Sequence, residues 1–354
     1  MKIKRMKAMG ATNGQQDSQT LHGPSDLSAS TAEPLVRNIL APIDFSEETD
    51  CALEYARALT KDARSHIHLL HVLEPTPFAS GLDANPLVVS DEESLARAEA
   101  DLMALTEKHA APNIHYTVES RRGHAAHEIE WAARKTTPDL LVLSTHGHNG
   151  LKHHLLGGVS EKLIRTSPTP VLVVRKRPTP AHTGTNGDSF RLRRILVPTD
   201  FTQHSVEAVR FAALFAAQFG CYVTLAHCVR KPRNAKARAQ AAYDLARLTE
   251  VGRGCVNERL LPGQNTASFE VIEKCDLLSG PPSVAIPALA AEESYDLIIC
   301  ATHGHTGLTH ALFGSTAEGI VRHARCPVLV VGARSHWRNP DRGKALPKLV
   351  SQHQ

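Results

Sequence analysis

"STHGHNGLKHHLLGGVSEKLIRTSPTPVLVV", residues 144–174, recurs as "ATHGHTGLTHALFGSTAEGIVRHARCPVLVV", residues 301–331, without a gap at an offset of 157. Sixteen of the 31 positions are identical. A second pair lies upstream: "RNILAPIDFSEETDCALEYA" (37–56) against "RRILVPTDFTQHSVEAVRFA" (193–212), at an offset of 156. Two blocks at nearly one offset mean a tandem duplication of a unit of roughly 140 residues, the size of a single domain. A short-period solenoid is excluded. The expected organisation is an N-terminal extension without structure over 1–34, a first domain over 35–176 and a linker over 177–190. A second domain over 191–333 and a basic polar tail over 334–354 complete it, the tail also without structure.

Elements alternate within the first unit. "NILAPI" is a short apolar strand, and Ser46 is placed to cap the helix "EETDCALEYARALTKDA", whose acidic first turn suits a helix N-terminus. "HIHLLHVL", "IHYTVES", "DLLVLS" and "PVLVV" read as strands, with helices at "DEESLARAEADLMALTEKHA", "AAHEIEWAARK" and "GVSEKLIRTS" between them. The order is βαβαβαβαβ. Strands this apolar imply a parallel sheet buried on both faces, so each unit is an α/β doubly wound domain with helices on both sides. The second unit repeats the pattern, except that the more basic residues 230–265 resist assignment.

The formal charge of +4 sits in the ends, because residues 1–34 sum to +1 and residues 334–354 to +4, leaving −1 for the body. A near-neutral body argues against a nucleic-acid surface. No run of about eighteen apolar residues is present and no apolar core follows the basic N-terminus, so neither a membrane span nor a secretory signal is read. The seven cysteines are odd in number and lack a CxxC, as expected for reduced thiols in a cytoplasmic protein.

In open α/β sheets ligands bind beyond the carboxyl ends of the strands, where strand order reverses. Two strand ends carry unusual residues in both copies. Asp44 and Asp200 follow the first strand; a glycine loop from Ser144 to Gly158, or Ala301 to Ser315, follows the fourth and runs into a helix. Gly157 and Gly314 stand just before that helix, whose unpaired N–H groups and positive dipole end suit phosphate. A small residue at 144 or 301 lets a flat base lie against the backbone. The loop is neither a Walker A sequence nor the dinucleotide fingerprint, which follows a first strand. It is also compatible with plain turn formation, since Ser315-x-x-Glu318 has the form of a capping box and Gly158-x-x-Glu161 that of a weakened copy. The His146/His148 and His303/His305 pairs lack the cysteine or carboxylate company that zinc takes, so a solvated loop is favoured over a metal site. Trp131 is expected in the core, and His66 and His68 on one polar strand face.

Together these residues resemble the universal stress protein family, whose nucleotide-binding members carry G-x2-G-x9-G-(S/T) after the fourth strand. The first unit reads Ser144-Thr-His146-Gly147, nine residues, then Gly157-Gly158; the second reads Ala301-Thr-His303-Gly304, nine residues, then Gly314-Ser315. Pro42-x-Asp44, Pro198-x-Asp200 and the doubled "PVLVV" match as well. The resemblance implies a five-stranded sheet of order 3-2-1-4-5 in each half and ATP lying between the aspartate and the glycine loop, with Mg2+ or Mn2+ on its phosphates. It implies that Asp44 and Asp200 contact the nucleoside, and that Val72 and Cys228 line the base. Gly157, Gly158, Val159 and Ser160, with Gly314, Ser315 and Thr316, hold the phosphates, on the frame of Gly147, Gly150, Gly304 and Gly307. The departures are Ser144 and Ala301 in place of the first motif glycine and Gly158 in place of a hydroxyl residue, for which Ser160 is the candidate substitute.

No nucleophile–base set repeats between the halves, and no catalytic lysine or arginine finger is evident, so slow ATP hydrolysis is the most that catalysis is expected to reach. The reading is an ATP-binding stress-response regulator acting through nucleotide-dependent contacts with a protein partner. A weak ATPase and a nucleotide-free interaction module stand as alternatives. Family members of one domain pair through the fifth strand, so the two "PVLVV" strands are expected to pair within this chain, with further homodimerisation left open.

Overall fold

The computed structural model describes residues 6–7, 33–60, 64–75, 91–111, 113–144, 157–175, 192–229, 234–260, 271–302, 313–332 and 337. The first half comprises β2 (Asn38–Ile43), α1 (Thr49–Ala58), β3 (Ser65–Leu73), α2 (Asp91–Lys108), β4 (Ile114–Arg122), α3 (Ala125–Thr136), β5 (Leu140–Ser144), α4 (Gly158–Thr166) and β6 (Val171–Val174). The second comprises β7 (Arg194–Pro198), α5 (Gln203–Phe219), β8 (Tyr222–Val229), α6 (Ala235–Leu260), β9 (Ile272–Ser279), α7 (Pro282–Glu292), β10 (Leu297–Ala301), α8 (Ser315–His323) and β11 (Val328–Val331). A two-residue β1 (Met6–Lys7) precedes both.

All of these strands join one sheet of order β1-β9-β8-β7-β10-β11-β6-β5-β2-β3-β4. Within each half the order is 3-2-1-4-5 and every pairing is parallel. The fifth strands meet antiparallel, Val328 opposite Val173 and Leu329 opposite Leu172. Each "VLVV" strand is buried at every residue, so the junction seals two apolar edges that would otherwise stand open.

Strand alternation sorts the side chains into two cores. Ile39, Ala41, Val142, Leu172, Val197 and Leu329 face α1, α5 and α6; Leu40, Leu141, Val173, Leu196 and Val330 face α3, α4, α7 and α8. Each core contains residues of both halves, so the duplication has fused two domains along a common sheet. α5 is buried around most of its circumference because α6 lies over it, Leu245, Leu248 and Val256 contributing to that core. α6 occupies Ala235–Leu260 of the stretch that resisted assignment. Its Ala-, Arg- and Leu-rich composition favours helix without drawing a sharp apolar stripe.

Four expectations need correction. Ser46 does not cap α1: the cap position is Glu48, without a side-chain bond, and the Ser46 hydroxyl is buried without a partner. The N-terminal extension is not featureless where it is described, since Met6 and Lys7 pair antiparallel with Leu277 and Asp276. At the start of the first domain, Gln218 of α5 accepts from the Leu35 and Val36 N–H groups at 2.7 and 3.1 Å and donates to the Val36 carbonyl at 2.9 Å. In the C-terminal tail, Trp337 is buried against Phe211, edge to face at 5.5 Å. Finally, Trp131 is no core residue; it is 40% exposed and lies beneath the Arg121 guanidinium at 3.8 Å.

Candidate nucleotide site

In the first half, β2 and β5 pair only at Ile39–Leu140 and Leu40–Leu141, near their amino ends. In the second, β7 and β10 pair only at Ile195–Leu297 and Leu196–Ile298. Beyond those pairs the two strands feed helices on opposite faces, α1 and α4 in one half, α5 and α8 in the other. This divergence is the switch point of a doubly wound sheet, and it opens a crevice at the carboxyl ends.

Pro198 closes β7 and Pro42 is the penultimate residue of β2, and Asp44 and Asp200 enter the turns beyond them. Asp44 Oδ1 accepts from the Ser46 N–H at 3.0 Å and the Thr49 hydroxyl at 3.2 Å. Asp200 Oδ1 accepts from the Thr202 N–H at 3.1 Å and its hydroxyl at 2.6 Å. In each carboxylate Oδ1 is held by the turn that follows it. Among the described residues, Asp44 Oδ2 takes no hydrogen bond, which leaves an acceptor at the crevice.

The residue after each aspartate is a phenylalanine in left-handed backbone conformation, Phe45 at φ 55° and Phe201 at φ 64°. That region costs a residue with a Cβ roughly 1–2 kcal/mol, and both halves keep it. A histidine at the end of the neighbouring strand accompanies it: His71 Nδ1 meets the Ile43 carbonyl at 2.7 Å and His227 Nδ1 the Thr199 carbonyl at 2.8 Å. Because a carbonyl only accepts, Nδ1 carries the proton in both. The rings lie 4.7 and 4.4 Å from Phe45 and Phe201. This Phe–His pair escaped the sequence reading, although both members repeat at an offset of 156. Gly123 and Gly280, closing β4 and β9 at φ 151° and 108°, were also missed, and they repeat at 157. The Gly123 N–H donates to the Leu73 carbonyl at 3.1 Å, and a Cβ there would stand 2.9 Å from Glu128 Cγ.

Val72 and Cys228, the residues expected to line a base, are half-buried against the second core. Burial pushes the Cys228 thiol up to about 12, so it stays protonated and presents an uncharged surface.

At the far side, Gly157 and Gly314 are the cap residues of α4 and α8, and neither makes a side-chain cap. Ser315 is therefore the first helical residue rather than the cap, and the capping box is not formed; Glu318 turns instead to Arg322 at 2.8 Å. Ser315 is exposed and Thr316 half-buried, and among the described residues no hydrogen bond engages either hydroxyl. Thr302 accepts from the Gly314 N–H at 2.9 Å, tying the two ends of the loop that follows Ala301. The first half differs. Gly158 has no hydroxyl, Val159 follows it, and the buried Ser160 hydroxyl donates to the Ser144 carbonyl at 3.0 Å. Ser160 thus fastens α4 to the end of β5 and has no proton left to give a phosphate. His146, Gly147, Gly150, His303, Gly304 and Gly307 lie outside the described residues.

Among the described residues no group of three His, Cys, Asp or Glu side chains is placed to hold a metal ion. The helix-end donor set fits the phosphates of a nucleotide, and a divalent cation would reach it on those phosphates. Among the described residues no helix is long and apolar enough to cross a membrane.

Comparison with known proteins places the two-unit fold. The family model described as "Universal stress protein family" matches residues 36–175 and 191–332. A universal stress protein of Methanocaldococcus jannaschii is 31% identical over 147 residues, 41% of this chain and 85% of its own length. A universal stress protein E homolog of Haemophilus influenzae is 24% identical over 321 residues, 83% of this chain and 96% of its own. A crystal structure of a universal stress protein from Archaeoglobus fulgidus superposes with a TM-score of 0.59 at 22% identity, covering 84% of this chain and 97% of that one.

Proposed function

The chain belongs to the universal stress protein family, carrying two of its units in tandem, and from that premise we propose that it is an ATP-binding regulator of a stress response. The observation that carries the proposal is the second-half crevice. Asp200 stands oriented at one strand end, and across the switch point α8 begins with two hydroxyls that no cap consumes.

ATP supplies a polyphosphate anion, a ribose and a flat base. The first N–H groups of α8, with Ser315 and Thr316, would take phosphate oxygens, aided by the positive end of the helix. Asp200 and Asp44 would accept from nucleoside hydroxyls, and Val72 or Cys228 would face the base. His71 and His227 hold the aspartate turns in place by pinning the carbonyl before them. The described crevice residues are read as positioning groups rather than as a catalytic set. The output is therefore a change of shape or partner contacts on binding. In the first half the Ser160–Ser144 bond and the bare Gly158 favour a weaker phosphate seat, and for that half an interaction role without nucleotide is the second reading.

The test is to denature protein purified without added nucleotide and analyse the released small molecules, alongside melting with and without millimolar ATP–Mg2+. Released ATP or a raised melting temperature supports the proposal. The absence of both released nucleotide and a melting shift refutes it.

A further inference from the structure

The two halves do not contact each other symmetrically. Arg175, the residue that follows β6, extends its guanidinium onto the last turn of α8 and donates to the Val321 and Arg322 carbonyls at 2.6 and 3.0 Å. These are terminal carbonyls that the helix itself leaves unsatisfied, and a cation suits that end of its dipole. The same arginine is tied to the first half, its carbonyl accepting from the Cys51 thiol of α1 at 3.4 Å. Its charge is felt by Glu48, the cap residue of α1, whose carboxylate opposes the downward pull of burial on the guanidinium. The counterpart of Arg175 at an offset of 157 is Gly332, which has no side chain to return the contact to α4.

We infer that Arg175 is a positioning residue that couples the aspartate turn of the first half to the phosphate end of the second half's crevice. The inference rests on the nucleotide reading of that crevice. α8 is nine residues long, about 13 Å at 1.5 Å per residue, and too short to bend. Displacing its C-terminal turn therefore moves Ser315 and Thr316 at the other end. On the opposite side of Arg175, Glu48 and Thr49 belong to the same turn as Asp44, which holds Thr49 through its hydroxyl. A change in the Asp44 turn can reach α8 through this guanidinium. The matching position of the second half is Gly332, so the repeat supplies no second arginine for the reverse route.

A double-mutant cycle on the full chain tests this. ATP–Mg2+ affinity is measured by calorimetry for the parent, Asp44→Ala, Arg175→Ala and the double variant, reading the site that Asp200→Ala abolishes. With Arg175 present, Asp44→Ala is expected to change second-half affinity about fivefold, a typical coupling; with alanine at 175 the change should vanish. Arg175→Lys keeps the charge but not the planar Nη2 donor that makes both bonds and should lose most of the coupling, which provides a folded variant should Arg175→Ala be unstable. An equal change in both backgrounds, or none in either, overturns the coupling while leaving the nucleotide reading standing. If no site is lost on Asp200→Ala, the nucleotide reading fails and the coupling fails with it.

Discussion

Gly158→Ser should convert the weaker half into a better one. Gly158 is the first residue of α4, exposed, and a Cβ added there meets no atom within 4 Å. Its counterpart is Ser315, so the substitution copies the second half's chemistry onto the first. A hydrogen bond to a charged acceptor contributes about 1.5–3 kcal/mol, which is roughly ten- to hundredfold in affinity at 1.4 kcal/mol per decade. Leaving glycine also favours the helix by about 0.5 kcal/mol, so the variant should melt no lower than the parent. Gly158→Ala separates the two effects, since it has the helix preference without the hydroxyl. Calorimetry in an Asp200→Ala background isolates the first half. The expected order of ATP–Mg2+ affinity is serine well above alanine, with alanine close to glycine. Equal affinity for serine and alanine would refute the reasoning, because the hydroxyl would then be irrelevant at this helix end.

Trp337→Ala empties a buried aromatic site beside Phe211 and should cost about 3–5 kcal/mol in denaturant unfolding, whereas a solvated tail would show no change. Gly319→Ala gains about 1 kcal/mol of helix preference but sets a Cβ 2.5 Å from Ser283 Cβ. Overpacking of about 1–3 kcal/mol should win, and a Ser283→Gly background should reverse the sign in paired melts. Burial depresses the protonation of His66 and His68, with His68 and His115 adding repulsion at His66 and Arg121 at His68, while Glu119 opposes the shift at His68. A lowered folded pKa means stability is complete above the usual value near 6.5 and falls as pH drops through the folded value. Melting temperature should therefore decline on acidification below that point, and His66→Gln with His68→Gln should flatten the decline.

The duplication made most of the architecture legible. Apolar strands at fixed offsets reveal where a parallel sheet must lie, and the doubled "PVLVV" announced that the fifth strands pair, though not that they do so antiparallel. The features that escaped depend on contacts distant in sequence or on single-residue offsets. The His71–Ile43 bond joins residues 28 positions apart, so no local pattern encodes it. Ser46 and Ser315 looked like caps because serine before an acidic turn usually is one; α1 starts later than expected and α8 earlier. Ser160 looked like a replacement hydroxyl, but only the packed structure shows that the end of β5 already claims it. Trp337 lies beyond the repeat, where composition suggested solvent and a single aromatic contact decided otherwise.

The most direct test of the central claim is calorimetric titration of ATP–Mg2+ into the full chain and into its Asp44→Ala, Asp200→Ala double variant, with melting curves showing both folded. The account predicts saturable binding to the parent that disappears in the double variant. Binding that persists unchanged without the two aspartates, or a parent chain that binds nothing, would contradict it.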